Sequence, residues 1–557
     1  MTDYGEQFFS SRFLGLLTAK AGTPDPDVRS ILQALITATI SQHSCLDLAD
    51  VDEQALTRLS EYPAVGKSGA GTPVILEDRR LYLARYYHNE KRVAGQVAGR
   101  NRRVTAIDPA VLKTRLDEQF GEAAGNRQKL AAFIALTRML AIITGGPGTG
   151  KTSTVVRLLT ILRQVEPGLE VRLAAPTGKA AMRLAESIGQ GGFTLDHPVQ
   201  TLHRLLGVRR NGRHFRHGPD NPLRADLVII DEASMIDLGM MQRLLDALAA
   251  DTRLILLGDP MQLPSVDTGN VLADLCAGDP GFSADFIQQA EPMVGPLAAA
   301  SRPHRLTDAV CQLTQSYRFS PESGIGRLAA AVTAGIDPSG LDSDDAVTFD
   351  SPAMFDNPAG EFAAYIPLLE AGETDASILH RAFEQSRILC SRRGGELGVE
   401  AINDRIEQTL EAAGLKVPAE PFYHGRPVLV TRNDYNLGLY NGDIGICMAG
   451  AEPGQYLVVF PGDGGRQFLA SRLPAHETCF AMTVHKSQGS EFDQVTLVLG
   501  EESSEEASSL LTRELVYTGI TRARSQLKLI SIPALLRTAV GRSAARVSGM
   551  TGFLQIE

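Results

Sequence analysis

The segment GGPGTGKTST, which begins at Gly145, has the residue types and the spacing of a phosphate-binding loop. It fits the pattern G-x-x-x-x-G-K-[ST] and stands between the apolar stretch LAIIT and the helix-like stretch STVVRLLTILRQ, a context that disfavours a chance glycine turn. Glycines let backbone N–H groups wrap a phosphate chain at the positive end of a helix. The pattern predicts that Lys151 reaches the β- and γ-phosphates of a nucleotide and that Thr152 holds Mg2+. The predicted loop residues are Gly145, Gly146, Pro147, Gly148, Thr149, Gly150, Lys151, Thr152 and Ser153.

Acidic and amide side chains follow two further aliphatic stretches. In DLVIIDEASMID, Asp231 suits the Mg2+ shell and Glu232 suits a group that polarises the attacking water. In RLILLGDPMQLPS, Gln262 stands where a glutamine can sense a γ-phosphate. Taken singly, these residues are equally typical of a solvated turn or of a polar loop that caps the next helix. Together with the loop at Gly145, they predict a nucleotide-hydrolysing site.

Arginines in two distant segments are candidates for stabilising the charge that builds up on a transferred phosphoryl group. SYRF contains Arg318 beside Tyr317, and YTGITRAR contains Arg522 and Arg524. Both segments lie outside the first α/β pattern, so the nucleotide would have to sit in a cleft between two domains. From spacing alone, surface salt bridges are the more common use of such arginines.

The segment LLGVRRNGRHFRHGPDNPLRAD, residues 205–226, concentrates basic charge in an acidic protein. Its Asn-Gly pair is a strong hairpin signal, and it predicts a basic β-hairpin inserted at about residues 205–225. We expect this hairpin to contact nucleic acid phosphates, with Phe215 stacking on or wedging against a base. An ordinary solvated hairpin is the alternative. The basic residues concerned are Arg209, Arg210, Arg213 and Arg216.

The polar stretch TVHKSQGSEFD, residues 483–493, stands between apolar CFAM and strand-like QVTLVLG. Alone, it fits a solvated loop, a metal site, a catalytic cluster or part of a site assembled from elsewhere in the chain. The histidines at 197, 203, 214, 217 and 485 lack the neighbouring thiolates or the H-x-x-x-H spacing of a zinc site. We therefore expect no metal other than Mg2+.

The elements that must position these residues indicate an α/β fold with several domains. Residues 1–118 predict a helical, partner-docking domain, and residues 119–292 alternate strands with helices as in a parallel sheet. A second α/β set occupies residues 293–557, and a β-rich insertion at about residues 421–473 predicts a small barrel. The acidic run EESSEEASS, residues 501–509, predicts a surface loop.

Composition and charge bound the classes of function. The chain has 557 residues, 43% hydrophobic and 21% charged, with a net charge of −11, which argues against a uniformly basic nucleic-acid binder but permits a local basic groove. No secretory signal or membrane span is expected, and its 6 cysteines are scattered without metal-ligand spacing, so a reduced cytoplasmic location fits best.

Eight motifs in order resemble the superfamily 1 DNA helicases, and within them the RecD family, the alpha subunits of exonuclease V (RecBCD complexes). The motifs are GGPGTGKT, APTGKAAMRL, TLHRLLG, VIIDEASMID, LLGDPMQLPSV, SYRF, TVHKSQGSEFDQV and LVYTGITRAR. The resemblance covers about residues 120–535 and implies two RecA-like P-loop domains, an SH3-like insertion, and ATP with Mg2+ as ligands. The form LGDPMQLPSV resembles the branch that moves 5′→3′.

The resemblance also implies roles for single residues. Gln128 matches a glutamine that reads adenine, Tyr317 an aromatic that stacks on adenine, and Glu491 a carboxylate near the ribose. Arg318 and Arg522 match the two γ-phosphate arginines, and Gln262 matches the motif III sensor. The positions implied for DNA contact are Pro176, Thr177, Lys179, His203, Thr483, His485, Lys486 and Gln488.

We therefore expect an ATP-dependent 5′→3′ DNA helicase subunit that acts in double-strand-break repair and recombination. The resemblance implies RecB-like and RecC-like partners, single-stranded and duplex-end DNA as substrate, and a nuclease site in a partner subunit. The alternatives are a free-standing DNA or RNA helicase of the same branch, and a clamp subunit that binds ATP without hydrolysing it.

Overall fold

Two parallel β-sheets form the centres of two α/β bodies in the computed structural model, so the α/β prediction is confirmed. The structure describes residues 3–104, 107–208, 214–434, 436–452, 454–461, 465–500 and 511–556. We call residues 109–313 the first body and residues 314–541 the second body, because each range contains the strands of one of the two parallel sheets.

The N-terminal region combines helices with a small sheet. Its elements are α1 (Asp3–Ala21), α2 (Pro26–Ile40), β1 (Leu46–Asp47), α3 (Glu53–Glu61), β2 (Val65–Gly66), β3 (Val74–Glu77), β4 (Arg80–Leu83) and α4 (Ala84–Arg100). The strands form one sheet in the order β1-β4-β3-β2. The prediction of a purely helical domain is therefore wrong, because strands of 2 to 4 residues are too short to show alternation in the sequence.

The first body is built on a six-stranded sheet with the order β10-β5-β9-β8-β6-β7. Its elements are α5 (Pro109–Phe120), α6 (Arg127–Thr137), β5 (Leu140–Gly145), α7 (Lys151–Val165), β6 (Val171–Ala175), α8 (Gly178–Gln190), β7 (Gln200–Thr201), α9 (Leu202–Leu205), β8 (Leu227–Ile230), α10 (Leu238–Asp246), β9 (Arg253–Gly258), α11 (Val271–Cys276), α12 (Ala284–Val294) and β10 (Val310–Leu313). Strands β5, β8 and β9 are buried along their whole length, as in a parallel sheet covered on both faces.

The boundary between the bodies differs from the predicted position after residue 292. Strand β10 pairs with β5 in parallel, with Val310 opposite Ile142, so the first sheet continues to Leu313. This strand has only 4 residues and follows a stretch, 295–309, without regular helix or strand, which is why the sequence pattern did not assign it to the first sheet.

The second body is built on a five-stranded parallel sheet with the order β11-β20-β19-β12-β18. Its elements are α13 (Gly324–Thr333), β11 (Val347–Asp350), α14 (Ile366–Glu370), α15 (Ala376–Gln385), β12 (Ser386–Cys390), α16 (Val399–Ala412), β13 (Pro427–Val430), β14 (Ile444–Ala449), β15 (Tyr456–Phe460), β16 (Arg466–Leu469), β17 (His476–Thr478), β18 (Ala481–Thr483), β19 (Phe492–Val498), α17 (Arg513–Ile520), β20 (Ala523–Ile530) and α18 (Pro533–Gly541). Short 3-10 helices are Ala233–Met235, Pro338–Gly340, Pro352–Met354, Pro358–Phe362, Ala470–Arg472 and Val484–Ser487.

The β-rich insertion forms a separate five-stranded antiparallel sheet. Its strand order is β16-β15-β14-β13-β17, and it has its own apolar core around Val428, Val458 and Phe460. Strands β13 to β16 lie within residues 421–473, so the prediction that this insertion is β-rich is confirmed.

The C-terminal tail, residues 542–556, returns from the second body to the first body and the N-terminal region. Its helix α19 (Met550–Phe553) packs against α4, and the backbone N–H of Val547 donates to Nδ1 of His43 at 2.8 Å. Arg546 donates to the carbonyl oxygens of Ser265, Asp267 and Gly269, which follow β9. The tail therefore ties three parts of the chain together.

Neither a membrane-crossing helix nor a metal-binding cluster is found among the described residues. None of the helices there has the length and apolar character needed to cross a bilayer. In the same part of the chain, no group of three or more His, Cys, Asp or Glu side chains is arranged to hold a metal ion, and all six cysteines are free thiols.

Candidate functional site

The loop between β5 and α7 has the backbone geometry of a phosphate cradle. Gly148 and Gly150 have left-handed φ angles of 77° and 83°. A Cβ on Gly148 would lie 2.4 Å from Cβ of Arg318, and one on Gly150 would lie 2.1 Å from Nε2 of Gln128. Gly150 is also the N-cap of α7, so free N–H groups of the first helical turn face the loop. Both glycines are required by conformation and by close approach.

Lys151 lies folded onto its own loop. Its Nζ donates to the carbonyl oxygens of Gly145 at 2.5 Å and Gly146 at 3.2 Å. These carbonyls hold the ammonium at the edge of the space that the loop encloses, which Thr152 also lines. A phosphate that enters this space can replace the carbonyls with charge-assisted bonds.

Asp231 and Glu232 follow the carboxyl end of β8, beside the loop. Burial raises the pKa of Asp231 to about 6, with Glu232 adding to the effect and Lys151 opposing it. The N–H of Glu232 donates to Oδ1 of Asp231 at 2.9 Å, and Glu232 has a left-handed φ of 53°. The hydroxyl of Thr152 and the carboxylate of Asp231 are the hard oxygen donors that suit Mg2+.

The loop after β9 connects the two bodies through hydrogen bonds. Arg522 is only 2% exposed, and its Nη2 donates to Oε1 of Gln262 at 3.0 Å. Its Nη1 and Nε donate to the carbonyls of Ser490 and Thr518, each at 3.1 Å. The predicted γ-phosphate sensor and one of the predicted arginines therefore belong to one network across the two bodies.

Glu491 forms ion pairs with arginines from both bodies. Its Oε1 accepts from Nη2 of Arg318 at 2.5 Å and from Nη2 of Arg183 at 2.9 Å, and its Oε2 lies 3.4 Å from Nε of Arg524. Burial by itself raises the pKa of Glu491, but Arg183 and Arg318 outweigh it and hold the pKa at about 2. The carboxylate is therefore ionised at neutral pH.

These side chains converge on a single cleft of about 330 Å3 that opens to solvent. The six predicted catalytic residues all line it, together with the phosphate loop and Glu491. The lining residues that the sequence predicted are Pro147, Gly148, Thr149, Gly150, Lys151, Thr152, Ser153, Asp231, Glu232, Gln262, Arg318, Glu491 and Arg522.

The two predicted adenine contacts flank the loop. Gln128 is buried, and its Nε2 donates to the carbonyl of Thr149 at 3.1 Å. The side chain of Tyr317 is exposed, while its N–H donates to the carbonyl of Gly148 at 2.8 Å. Their roles toward adenine stay predictions.

Similarity to known proteins now decides the family. Two family models match, an AAA domain over residues 128–268 and a UvrD-like helicase C-terminal domain over residues 478–530. The RecBCD enzyme subunit RecD of Mycobacterium tuberculosis is 36% identical over 97% of this chain and 93% of its own length. The chain belongs to the RecD family.

Two further similarities are with longer or more distant proteins. The ATP-dependent RecD2 DNA helicase of Deinococcus radiodurans is 31% identical to this RecD-family chain over 85% of the chain and 58% of its own length. The crystal structure of the Pif1 helicase from Candida albicans aligns with 74% of this chain and 94% of its own, at 17% identity and a TM-score of 0.41.

The sequence assigns two segments of this RecD-family chain to contact with the DNA backbone. These two segments touch each other. Thr177, which follows Pro176, caps α8 by accepting from the N–H of Ala180 at 3.2 Å, and Thr483 caps the 3-10 helix that follows β18. A Cβ on Gly489, at φ 72°, would lie 3.4 Å from Cβ of Ala180. The segment 483–491, called motif V below, therefore packs directly on the first turn of α8.

Three of the predicted DNA contacts make other bonds in the structure. Gln488 is buried and its Nε2 donates to the carbonyl of Leu263 at 3.2 Å, so its assignment to a DNA-facing surface is wrong. Lys486 pairs with Glu477 at 2.5 Å, and Nζ of Lys179 lies 5.8 Å from the centre of the Phe492 ring. His203 and His485 are exposed, as their predicted role requires.

The predicted basic hairpin is described only at its base. Val208 and Phe215 form an antiparallel bridge, and Arg209, Arg210 and Arg213 lie outside the described residues. Arg216 is exposed. Phe215 is half-buried against the core of the first body, with the guanidinium of Arg243 5.0 Å from the centre of its ring. These contacts favour an anchoring role for Phe215, and its stacking on or wedging against a base stays a prediction.

The sequence did not predict Arg183 or Tyr517 as members of the cleft network, and it left Asp259 without a role. Arg183 lies four residues after Lys179, so helical periodicity already placed it on the same face of α8 as a predicted site residue. Asp259 accepts from the hydroxyl of Tyr517 at 3.0 Å, and burial raises the pKa of Asp259. Only the fold brings Asp259 and Tyr517 together, because they are 258 residues apart.

Proposed function

We propose that this RecD-family chain is an ATP-dependent DNA helicase subunit that moves 5′→3′ along single-stranded DNA. The observation that carries the proposal is the convergence of Lys151, Asp231 and Glu232 of the first body with Arg522 of the second body in one cleft. A nucleotide bound there contacts both bodies, so its hydrolysis changes how they pack together.

The cleft residues divide the chemistry of hydrolysis among them. Lys151 binds the β- and γ-phosphates, and Glu232 accepts a proton from the attacking water. Arg318 and Arg522 neutralise the charge that develops on the γ-phosphoryl group. Mg2+ held by Thr152 and Asp231 would supply charge neutralisation at the phosphates when it is bound.

Single-stranded DNA crosses both bodies in this proposal. Its phosphates contact Pro176, Thr177 and the neighbouring Lys179 on one side, and Thr483 and His485 on the other. Lys486 and His203 add positive or polar character beside this path. Closure on ATP brings α8 and motif V together around the strand, and opening after hydrolysis moves one body along it.

The domains take separate tasks in the proposal. The N-terminal region docks on partner subunits, the two bodies form the motor domains 1A and 2A, and the antiparallel insertion is an SH3-like domain 2B. The boundary between 1A and 2A falls after Leu313, because β10 belongs to the first sheet.

We place the chain in the cytoplasm, in a heterotrimer with RecB-like and RecC-like subunits that processes duplex ends during double-strand-break repair and recombination. The printed name of the Mycobacterium tuberculosis relative, RecBCD enzyme subunit RecD, supports this assignment of partners. The nuclease site belongs to a partner subunit, and this chain contributes the motor.

The test combines capture of partners with unwinding. The tagged chain is purified from native extract, and the captured complex is given ATP, Mg2+ and duplexes with either a 5′ or a 3′ single-stranded tail. Because a heterotrimer can hold a second motor, the Lys151→Gln complex serves as the matched comparison. Loss of 5′-tailed unwinding in the Lys151→Gln complex, with 3′-tailed unwinding retained, is the expected result.

Other results select other functions. Stimulation of the ATPase by RNA rather than DNA would make the chain an RNA helicase. Full 5′-tailed unwinding by the chain alone would make it a free-standing helicase. Unwinding by the Lys151→Gln complex at the parent rate would leave this chain as a non-hydrolysing clamp.

A further inference from the structure

Arg183 is the one arginine in the cleft that neither the phosphate chemistry nor the motif resemblance assigned. Its side chain is 33% exposed, and both of its terminal nitrogens are engaged by the second body. Nη2 pairs with Oε1 of Glu491 at 2.9 Å, and Nη1 donates to the carbonyl of Gly489 at 2.7 Å. The guanidinium thus spans two residues of motif V from helix α8 of the first body.

This connection runs along the edge of the nucleotide cleft, which Arg183, Gly489 and Glu491 all line. Gly489 also packs on Ala180 in the first turn of α8, the helix that follows Pro176 and Thr177. A side chain that fixes motif V against α8 therefore sets the spacing between the two segments proposed to hold the DNA backbone.

Arg183 and Arg318 compete for one carboxylate oxygen. Both guanidinium groups reach Oε1 of Glu491, and burial leaves the Glu491 side chain only 14% exposed. When a γ-phosphate enters the cleft, Arg318 gains a ligand with more negative charge than a shared carboxylate. Glu491 then keeps Arg183 as its partner inside the cleft, and Arg524, which is half-exposed, as its partner at the edge.

We propose that Arg183 is a positioning residue through which Glu491 couples occupation of the nucleotide cleft to the grip of α8 and motif V on single-stranded DNA. The inference rests on the proposed helicase function and adds the residues that transmit the nucleotide state. With Arg318 on Glu491, the bridge to Arg183 is shared and weak. With Arg318 on the γ-phosphate, Arg183 no longer shares Oε1 of Glu491, and the bridge holds motif V on α8 more firmly.

The alternative is a static salt bridge that only holds the two bodies together. Such a bridge would affect melting temperature but would leave the response of DNA affinity to nucleotide unchanged. Coupling between two ligands is reciprocal, since a nucleotide that tightens DNA binding by some factor must itself be bound more tightly by that factor when DNA is present. Measuring both directions separates coupling from stability.

The experiment uses the full chain, with its partner subunits if they copurify, carrying Arg183→Gln, Arg183→Lys or Glu491→Gln. Arg172→Gln is the matched control, because Arg172 forms an ion pair with Glu170 of its own body at 2.7 Å, outside the cleft. The affinity for an oligothymidylate is measured with and without a non-hydrolysable ATP analogue, and the affinity for the analogue is measured with and without the oligothymidylate. Melting temperatures accompany each variant.

Two ratios are compared: the affinity for the oligothymidylate with and without the analogue, and the affinity for the analogue with and without the oligothymidylate. In the parent and in Arg172→Gln, we expect both ratios to agree at about fivefold or more, in the ordinary range of coupling between sites. In Arg183→Gln and Glu491→Gln, both ratios should fall to within about twofold of one. In Arg183→Gln, the analogue affinity without DNA should stay within about threefold of the parent. A double variant that combines Arg183→Gln with Glu491→Gln should lose no more coupling than either single variant, because both residues act through one bridge. Arg183→Lys keeps the charge but cannot span two acceptors, so it should lose most of the coupling.

Two results would overturn the inference while leaving the helicase intact. One is coupling between nucleotide and DNA as large in Arg183→Gln as in the parent. If Arg183→Gln does not fold, the same result in Glu491→Gln and Arg183→Lys would count. The other is a loss of analogue affinity without DNA as large as the loss of coupling, since Arg183 would then be a nucleotide ligand. A parent that shows neither coupling nor DNA-stimulated ATP hydrolysis would remove the proposed function as well.

Discussion

Arg522 of the second body donates to Oε1 of Gln262 of the first body at 3.0 Å, and this bond places the predicted γ-phosphate sensor and an arginine in one network. The same guanidinium holds the carbonyl of Ser490, which precedes Glu491. Any movement of Arg522 toward a phosphate therefore also changes the support of motif V.

Removal of either γ-phosphate arginine should separate ATP binding from hydrolysis. Arg318→Ala and Arg522→Ala are expected to retain ATP affinity within a few-fold and to lose about 10³-fold or more in single-turnover hydrolysis, as for arginines that stabilise the transferred phosphoryl group. Arg537→Ala serves as the control, because Arg537 is exposed and pairs with Asp337 within the second body.

Because Arg522 is buried, its alanine variant also removes the donor to Oε1 of Gln262 and to the carbonyl of Ser490. Arg522→Lys, which keeps the charge, and a melting temperature for each variant separate misfolding from lost chemistry. Unchanged turnover in a folded Arg318→Ala or Arg522→Ala protein would remove that residue from the hydrolytic machinery.

Arg546 should stabilise the attachment of the C-terminal tail. It donates to the carbonyls of Ser265, Asp267 and Gly269, and burial lowers its pKa to about 10. Arg546→Ala leaves these acceptors without a charged donor, so we expect a loss of about 2–4 kcal/mol in the free energy of unfolding.

The tail should then become accessible, so limited proteolysis is expected to release residues 542–556 first. Arg381→Ala is the control, because the Arg381 guanidinium bonds only within its own helix, to the carbonyl of Ser377. A tail that resists proteolysis as well as the parent's would mean that α19 packing, rather than Arg546, holds it.

Part of the predicted catalytic set could be placed from the sequence, because three of its residues follow strands that the sequence shows clearly. The strands LAIIT, LVII and RLILLG are buried and apolar, and parallel strands put their carboxyl ends at one edge of a sheet. Lys151, Asp231 and Gln262 could therefore be placed together without a structure.

The rest required tertiary contacts that no local pattern carries. Phe215 looks like a base-stacking aromatic in its segment, but it packs beneath Arg243, which belongs to a helix 28 residues away along the chain. Gln488 belongs to a polar segment, yet its side chain is buried and donates to the carbonyl of Leu263 in the other body. The short strands of the N-terminal region form a sheet only through pairing between segments.

Lys179 should make stability depend on pH in the alkaline range. Burial, with a smaller contribution from Arg387, lowers the pKa of Lys179 from 10.5 to about 8. Between these two values the unfolded chain binds more protons at this residue than the folded chain, so the contribution of Lys179 to stability increases as pH rises.

Lys179→Met removes this titration and keeps an unbranched side chain of nearly the same length beside the Phe492 ring. We expect the melting temperature of the parent to rise relative to Lys179→Met as pH increases from about 8 to about 10. A constant difference across this range would mean that the ammonium is solvated with an ordinary pKa.

The basic segment should supply part of the salt dependence of DNA binding. Replacing Arg209, Arg210, Arg213 and Arg216 with glutamine removes four cations, and the slope of log affinity against log salt should become shallower by up to about three on single strands. A control protein carries glutamine at four exposed arginines elsewhere in the chain, namely Arg29, Arg381, Arg472 and Arg537. Equal slopes for the two proteins would place the segment away from the DNA.

Substitutions of Phe215 should distinguish an apolar anchor from a wedge that separates DNA strands. Its ring is half-buried against the first-body core, and the Arg243 guanidinium lies 5.0 Å from the ring centre. Phe215→Ala should therefore lower the free energy of unfolding by about 1–3 kcal/mol, from lost burial and the lost cation–π contact. ATP hydrolysis and unwinding measured per folded molecule should stay within about twofold of the parent, because removal of an anchor changes the folded population more than the activity of each folded molecule.

Phe215→Leu is the matched variant, since leucine keeps most of the apolar contact and removes the ring. An anchor predicts that leucine restores stability and unwinding together. A wedge predicts that both variants keep DNA-stimulated ATP hydrolysis and lose unwinding, and that result would return Phe215 to the DNA junction.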